Sequence, residues 1–64
     1  MTVLFHFEGG PLDGTERESE DPQAATKLDT DGNPTNLSLK DNSLYMLTHS
    51  DPNNWYFLWT LAVG

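Results

Sequence analysis

The sequence has no cysteine, only three basic residues and no apolar run of membrane-spanning length. Without cysteine there are no disulfides and no cysteine-based zinc sites, which leaves His6 and His49 as the only imidazole ligands for a metal. Ten acidic residues against the three basic ones give a formal net charge of −7. Because this charge repels polyphosphates and anionic lipids, we expect binding neither to nucleic acid nor to membranes.

The first eight residues have neither the basic start nor the apolar stretch of a signal peptide. We therefore expect the product to stay in the cytoplasm or to leave as part of a particle. The 64 residues suffice for one small β domain, 1–64. At that size a single hydrophobic core is marginal, and a partner often supplies further support.

The densest apolar surface lies in the C-terminal run 55–63, which holds both tryptophans. A strand that is apolar on both faces lies in the middle of a packed sheet, or has one face covered by another chain. As a strand, this run directs two sets of side chains to opposite faces. They are Trp55, Phe57, Trp59, Leu61 and Val63 on one face, and Tyr56, Leu58, Thr60 and Ala62 on the other.

The remaining pattern predicts two hairpins. Residues 2–8 alternate as a strand, and the Gly- and Pro-rich segment 9–14 turns the chain back into a short charged strand at 15–18. Residues 43–49 form a second alternating strand, with Tyr45, Leu47 and His49 on one face, and 50–54 turn it into the C-terminal strand.

An acidic segment rich in turn formers, 19–36, joins the two hairpins. Within it, 24–28 forms either one helical turn or an extended crossing. After it, the leucines at 37 and 39 either open a third strand or anchor the loop. The sequence thus predicts an all-β fold, a small antiparallel sheet of about four strands built from two hairpins and a long acidic loop.

The segment Phe7-Glu8-Gly9-Gly10-Pro11-Leu12-Asp13-Gly14 lies near the start of a short chain that closes with an aromatic strand. In this it resembles a group of small, mostly uncharacterised proteins encoded by bacteriophages of actinobacteria. These open with a strand and a Gly-Gly-Pro-Leu-Asp-Gly turn and close with a hairpin that bears Tyr and Trp. The resemblance covers that turn and, by pattern, roughly the last twenty residues. It implies a phage source and a small β fold, and no functional residue carries over from it.

Two patterns could hold a metal. Asp29, Asp31 and Asn33 occupy the first, third and fifth positions of a calcium-loop pattern, which then fails at Pro34 and Lys40. His6 and His49 could meet across strands with Glu8 or Asp51 as a third ligand. An Asx-rich turn and ordinary sheet histidines explain both patterns, so we expect no metal and no cofactor.

Catalysis has little support. No serine lies in a nucleophile elbow, the glycine pair lacks a phosphate-loop continuation, and the carboxylates at 16, 18, 20 and 21 are expected in solvent. A chain of this length also has little volume for a catalytic cleft, which typically needs about 300 Å3 or more. We therefore expect that the protein is not an enzyme.

Binding is the function that the sequence favours, because the other strands carry few apolar residues with which to cover both faces of 55–63. Alternatively, segment 24–40 folds over the second face and leaves an ordinary monomer. We expect docking on a larger assembly, such as a phage capsid or tail protein, or on further copies of the chain. The protein would then be a small capsid decoration or minor virion protein, located in the virion. The alternative is a phage effector that inhibits a host protein in the host cytoplasm. The expected anchors are Trp55, Phe57 and Trp59, with Tyr45 and Phe5 behind them.

Overall fold

The computed structural model describes residues 2–20 and 25–63, and its strands form one curled, mixed sheet. The strands are β1 (Val3–Glu8), β2 (Glu16–Ser19), β3 (Lys27–Leu28), β4 (Leu44–Ser50) and β5 (Asn54–Thr60). Their order across the sheet is β2-β1-β5-β4-β3. Within the described ranges there is no helix that could span a membrane. The prediction of an all-β fold is confirmed.

The first hairpin, β1 with β2, turns through the Gly-rich segment as predicted. The carboxylate of Asp13 accepts a hydrogen bond from the Gly9 amide at 2.8 Å, and the Gly14 amide donates to the Phe7 carbonyl at 3.3 Å. Gly10 and Gly14 have φ values of 67° and 79°, a region that residues with a Cβ rarely adopt. These contacts close the turn and set the register of the hairpin.

The second hairpin, β4 with β5, also forms as predicted, and Asp51 organises its turn. One carboxylate oxygen of Asp51 accepts from the backbone amides of Asn53 and Asn54, at 2.9 and 2.7 Å. The ladder then shifts register between Leu47 and His49, so that Thr48 forms a β-bulge.

The predicted antiparallel arrangement fails at the centre of the sheet, where β1 and β5 run parallel. In this register Phe5 lies beside Trp55 and Phe7 beside Phe57. The physical reason is burial: the most apolar strand of each hairpin lies at the centre, and the charged β2 is left at an edge. The long connection between the hairpins allows the two central strands to run in the same direction.

Three further comparisons with the prediction concern the segments around the hairpins. The extended alternative for 24–28 is the one adopted at Lys27–Leu28, which pairs with β4, whereas 37–39 lies outside any strand. The last strand ends at Thr60, so Leu61 and Val63 lie past it and are 69% and 78% exposed. Residues 21–24 of the predicted acidic loop lie outside the described residues.

The core lies on one face of the sheet. Tyr45 is fully buried there, and its hydroxyl donates to the Gly9 carbonyl at 2.6 Å and accepts from the Leu12 amide at 2.8 Å. The first turn and the segment after residue 24 therefore cover this face. This agrees in part with the alternative in which segment 24–40 folds over one face of the sheet. The buried residues of this cluster are Val3, Phe5, Phe7, Ala25, Leu28, Tyr45 and Phe57, with Leu12, Leu47, Trp55 and Trp59 packed against them.

Candidate docking face

The opposite face of the sheet carries two rows of side chains that cross four strands each. We call this surface the open face and define it by these rows. Pairing of β2, β1, β5 and β4 gives the first row, and pairing of β1, β5, β4 and β3 gives the second. The first row is Glu16, His6, Tyr56 and His49, and the second is Glu8, Leu58, Met46 and Lys27.

Three aromatic rings of the first row form a continuous stack. The Tyr56 ring lies 4.7 Å from the His6 ring, with 12° between their planes, and 4.3 Å from the His49 ring, with 11° between their planes. Both faces of Tyr56 are therefore occupied by imidazoles, and its edge and hydroxyl are left for other contacts. Cross-strand aromatic pairs of this kind stabilise a sheet by about 0.2–1 kcal/mol each.

The β-bulge creates this stack. Strict alternation from Tyr45 would direct His49 to the core face, as the sequence pattern predicted. The extra residue Thr48 moves His49 opposite Tyr56, on the open face, and the Thr48 hydroxyl donates to the Tyr56 carbonyl at 3.1 Å. The predicted face of His49 is therefore wrong, because a bulge reverses the alternation of every residue that follows it.

Hydrogen bonds hold His6 in its place at the end of the stack. Its Nδ1 lies 3.2 Å from a Glu16 carboxylate oxygen, and its Nε2 lies 2.9 Å from the Asn54 amide oxygen. The amide nitrogen of Asn54 donates to Asp51 at 3.3 Å, which orients the amide oxygen toward His6. Both ring nitrogens of His6 therefore lie within hydrogen-bond distance of a side-chain oxygen.

The carboxylate of Asp51 stands at the end of this chain of hydrogen bonds. The backbone amides of Asn53 and then Asn54 donate to it, and they lower its pKa below the ordinary value of 3.8. The turn that aligns β4 with β5 thus depends on a charged Asp51, as does the orientation of Asn54 beside His6.

The second row supplies the apolar part of the open face. Leu58 is 42% exposed at the centre of the sheet, between Glu8 on β1 and the half-buried Met46 on β4. At the other end of β4 the same face is closed, because Leu44 is only 1% exposed. Past the end of β5, the Val63 amide donates to the Leu39 carbonyl at 3.0 Å.

Acidic side chains border one side of the open face. Glu16 and Glu18 stand on β2 beside His6 and Leu4, and Glu8 ends β1. The basic Arg17 pairs with Phe5 and so points to the core face, where it donates to the Asp31 carbonyl at 2.6 Å. The open face thus combines an aromatic and apolar centre with an acidic border on β1 and β2 and a lysine at its opposite end.

The docking anchors expected from the sequence lie on the core face instead. Phe5, Tyr45 and Phe57 are 3%, 0% and 1% exposed, so a partner cannot reach them without opening the core. Trp55 and Trp59 are half-buried beside them, and contact with a partner stays a prediction for these two. Sequence reasoning missed Tyr56 and Leu58 as candidate contact residues. Alternation placed them together on one face of the strand, but it could not show that this face is the uncovered one.

Comparison with known proteins adds no further information on function. No family model, curated protein or solved structure matches the chain. Function is therefore inferred from the geometry of the open face.

The metal patterns of the sequence correspond to ordinary structural contacts. One Asp29 carboxylate oxygen accepts from the backbone amides of Asp31 and Asn33, at 2.9 and 3.0 Å, which is an Asx-type turn. His6 and His49 lie on opposite faces of the Tyr56 ring, so the two imidazoles do not converge on one ion. Across residues 2–20 and 25–63, no three potential ligands among His, Asp and Glu form a group.

Proposed function

We propose that the protein is a non-enzymatic docking subunit that binds a larger protein assembly through the open face. The observation that supports this most directly is the exposure of Leu58 in a row of side chains that crosses four strands, next to the stack centred on Tyr56. Burying a fully exposed leucine contributes about 1.5–3 kcal/mol. Leu58 is 42% exposed, so covering the rest of it contributes less than this, and it is the expected centre of the contact.

The acidic border defines the chemistry of the partner. Glu8, Glu16 and Glu18 line one side of the apolar centre, and the chain carries a net charge of −7. A complementary surface has an apolar or aromatic patch with basic residues beside it, since like charges across an interface are costly. The attraction speeds association, and the apolar contact holds the complex together.

A bacteriophage structural or accessory role is the form of this function that we favour, as a small capsid decoration or minor virion protein. The resemblance of the turn Phe7–Gly14 to small phage-encoded proteins supports the source. The small size of the 64-residue chain supports the assembly, because many weakly bound copies on a symmetric particle add their binding energies through multivalency. The protein would then be located in the virion.

The second candidate is a phage effector that inhibits a host protein in the cytoplasm. The net charge of −7 favours it, because a strongly acidic surface steers a small protein toward a basic site on an enzyme. Mass spectrometry of purified virions separates the two candidates. The 7.2 kDa chain at high copy number supports the virion role, whereas its absence from virions together with early expression supports the effector.

A pair of matched variants tests the open face itself. Leu58→Lys adds a charge at the centre of the face, and Leu61→Lys adds the same charge to an exposed leucine past the end of β5. Both leucines are exposed, so both variants should keep the near-ultraviolet circular dichroism of the parent. We expect Leu58→Lys to lose incorporation into particles and Leu61→Lys to retain it. Incorporation of Leu58→Lys at the parental level would show that docking does not use this face.

A further inference from the structure

A groove lies between β2 and the turn at residues 32–34, on the core side of the sheet. Its volume is about 390 Å3, and its lining includes the apolar side chains of Phe5 and Pro34 and the charged residues Arg17, Glu18 and Glu20. The groove is separate from the open face, which lies on the other side of the strands.

One wall of the groove is the edge of the sheet. β2 is the outermost strand on its side, and in the part of the chain that the structure describes it pairs with β1 alone. An edge strand presents backbone N–H and C=O groups that can pair with another strand. β2 therefore offers the backbone of an incoming segment a template of four residues, Glu16–Ser19.

The opposite wall of the groove, residues 32–34, contacts β3 at the other edge of the curled sheet. Pro34 forms an antiparallel bridge with Leu28 of β3, and the Arg17 guanidinium reaches across from β2 to the Asp31 carbonyl at 2.6 Å. The two edges of the sheet thus face one another across the groove. An extended segment paired with β2 would partly close the curled sheet between them.

The side chains around β2 determine what such a segment must carry. Glu16 and Glu18 stand on the open-face side, beside His6 and Leu4, whereas Arg17 is directed to the core side. A strand beside β2 alternates in the same way, so every second side chain lies next to these glutamates and the others enter the groove near Phe5. Basic residues suit the positions beside the glutamates, and small apolar residues suit the positions that enter the groove.

We propose that the edge of β2 binds an extended segment of a partner protein in which basic residues alternate with small apolar residues. Backbone pairing supplies the affinity, the glutamates select the basic residues, and the groove selects the side chains between them, as in other cases of strand addition. The proposal shares Glu16 and Glu18 with the border of the open face, but it requires neither docking through that face nor a phage role for the protein.

The probe for this site is the peptide Lys-Val-Lys-Val-Lys, capped at both ends, titrated into the 15N-labelled full chain and followed by NMR. We expect shifts at β2 and at residues 32–34, and slower hydrogen exchange of outward-facing β2 amides. Two peptides serve as controls: Lys-Lys-Val-Val-Lys has the same charge without the alternation, and the N-methylated form of the probe cannot pair along its backbone. We expect each control to bind about tenfold more weakly or worse.

Matched variants place the contact on β2. Glu18→Lys and Glu8→Lys make the same charge change at exposed residues, but only Glu18 lies on the edge strand. We expect Glu18→Lys to raise the dissociation constant of the probe about tenfold or more, and Glu8→Lys to raise it less than about threefold. Equal binding of the scrambled peptide, equal effects of the two variants, shifts centred on Tyr56 and Leu58, or no shifts at millimolar peptide would each overturn the proposal. Shifts on the open face would leave the proposed function standing, which keeps the two tests separate.

Discussion

Replacing Gly10 by alanine should destabilise the fold much more than the same change at Gly14. Both glycines have positive φ, 67° and 79°, where an L side chain costs roughly 1–2 kcal/mol. Their surroundings differ. A Cβ on Gly10 would lie 2.5 Å from Cγ and Cδ2 of the Trp59 ring and 2.8 Å from the Tyr45 hydroxyl, whereas a Cβ on Gly14 has no atom within 4 Å.

The magnitude follows from how little these neighbours can move. Tyr45 is fully buried, and its hydroxyl is held by hydrogen bonds to the Gly9 carbonyl and the Leu12 amide. Overpacking against such groups costs about 1–3 kcal/mol. Together with the backbone strain, we expect a loss of about 2–5 kcal/mol for Gly10→Ala and of about 1–2 kcal/mol for Gly14→Ala. The total free energy of unfolding of a domain of this size is roughly 3–10 kcal/mol, so Gly10→Ala can unfold much of the population.

Urea denaturation followed by tryptophan fluorescence measures both variants, because Trp55 and Trp59 pack against the core. The difference between the two losses isolates the contacts with Trp59 and the Tyr45 hydroxyl, since the backbone strain is common to both. Each kcal/mol lowers the melting temperature by about 4–8 °C, which gives an independent check. Equal losses in the two variants would refute the packing of the first turn on Trp59.

Three further predictions concern single side chains. Tyr45→Phe keeps the ring but removes the hydroxyl that bonds two backbone groups of the first turn, and should cost about 1–3 kcal/mol in urea denaturation; parental stability would contradict this. Because backbone amides lower the pKa of Asp51, the stability from its carboxylate is complete above the ordinary value of 3.8 and is lost as the pH falls through the lowered pKa. Acid titrations should therefore show a smaller loss in this range for Asp51→Ala than for the parent, and identical curves would count against it. Trp59→Ala truncates a half-buried side chain and should lower the free energy of unfolding by about 3 kcal/mol. The control Glu18→Ala, at an exposed residue, should lower it by less than about 0.5 kcal/mol. A similar melting temperature for these two variants would mean that Trp59 lies outside the packed region.

Local pattern was sufficient for the parts of the fold that short segments decide. The Gly-rich segment 9–14 and the turn at Asp51 close hairpins through hydrogen bonds within four residues, so their positions follow from residue type and spacing. The strands that flank them follow from alternation. These features made the all-β class and both hairpins predictable without any knowledge of long-range contacts.

The pairing of the hairpins is a long-range choice that no short pattern contains. Parallel and antiparallel placement of β1 beside β5 both bury aromatic residues, and the observed order also depends on a two-residue strand at Lys27–Leu28 that has little signal of its own. Whether β1 and β5 run parallel or antiparallel could therefore not be predicted from alternation alone.

The sequence by itself determined that the run 55–63 has two apolar faces, and only the tertiary structure decided which of them is covered. The first turn packs on Tyr45 and Trp59, because the Tyr45 hydroxyl forms hydrogen bonds with the turn and Gly10 has no Cβ to meet the Trp59 ring. Ala25 and Leu28, from the segment after residue 24, join Phe57 in the same buried cluster. The bulge at Thr48 then brings His49 to the other face, beside Tyr56. Side-chain alternation has two equivalent solutions, and contacts between residues distant in the chain select one of them.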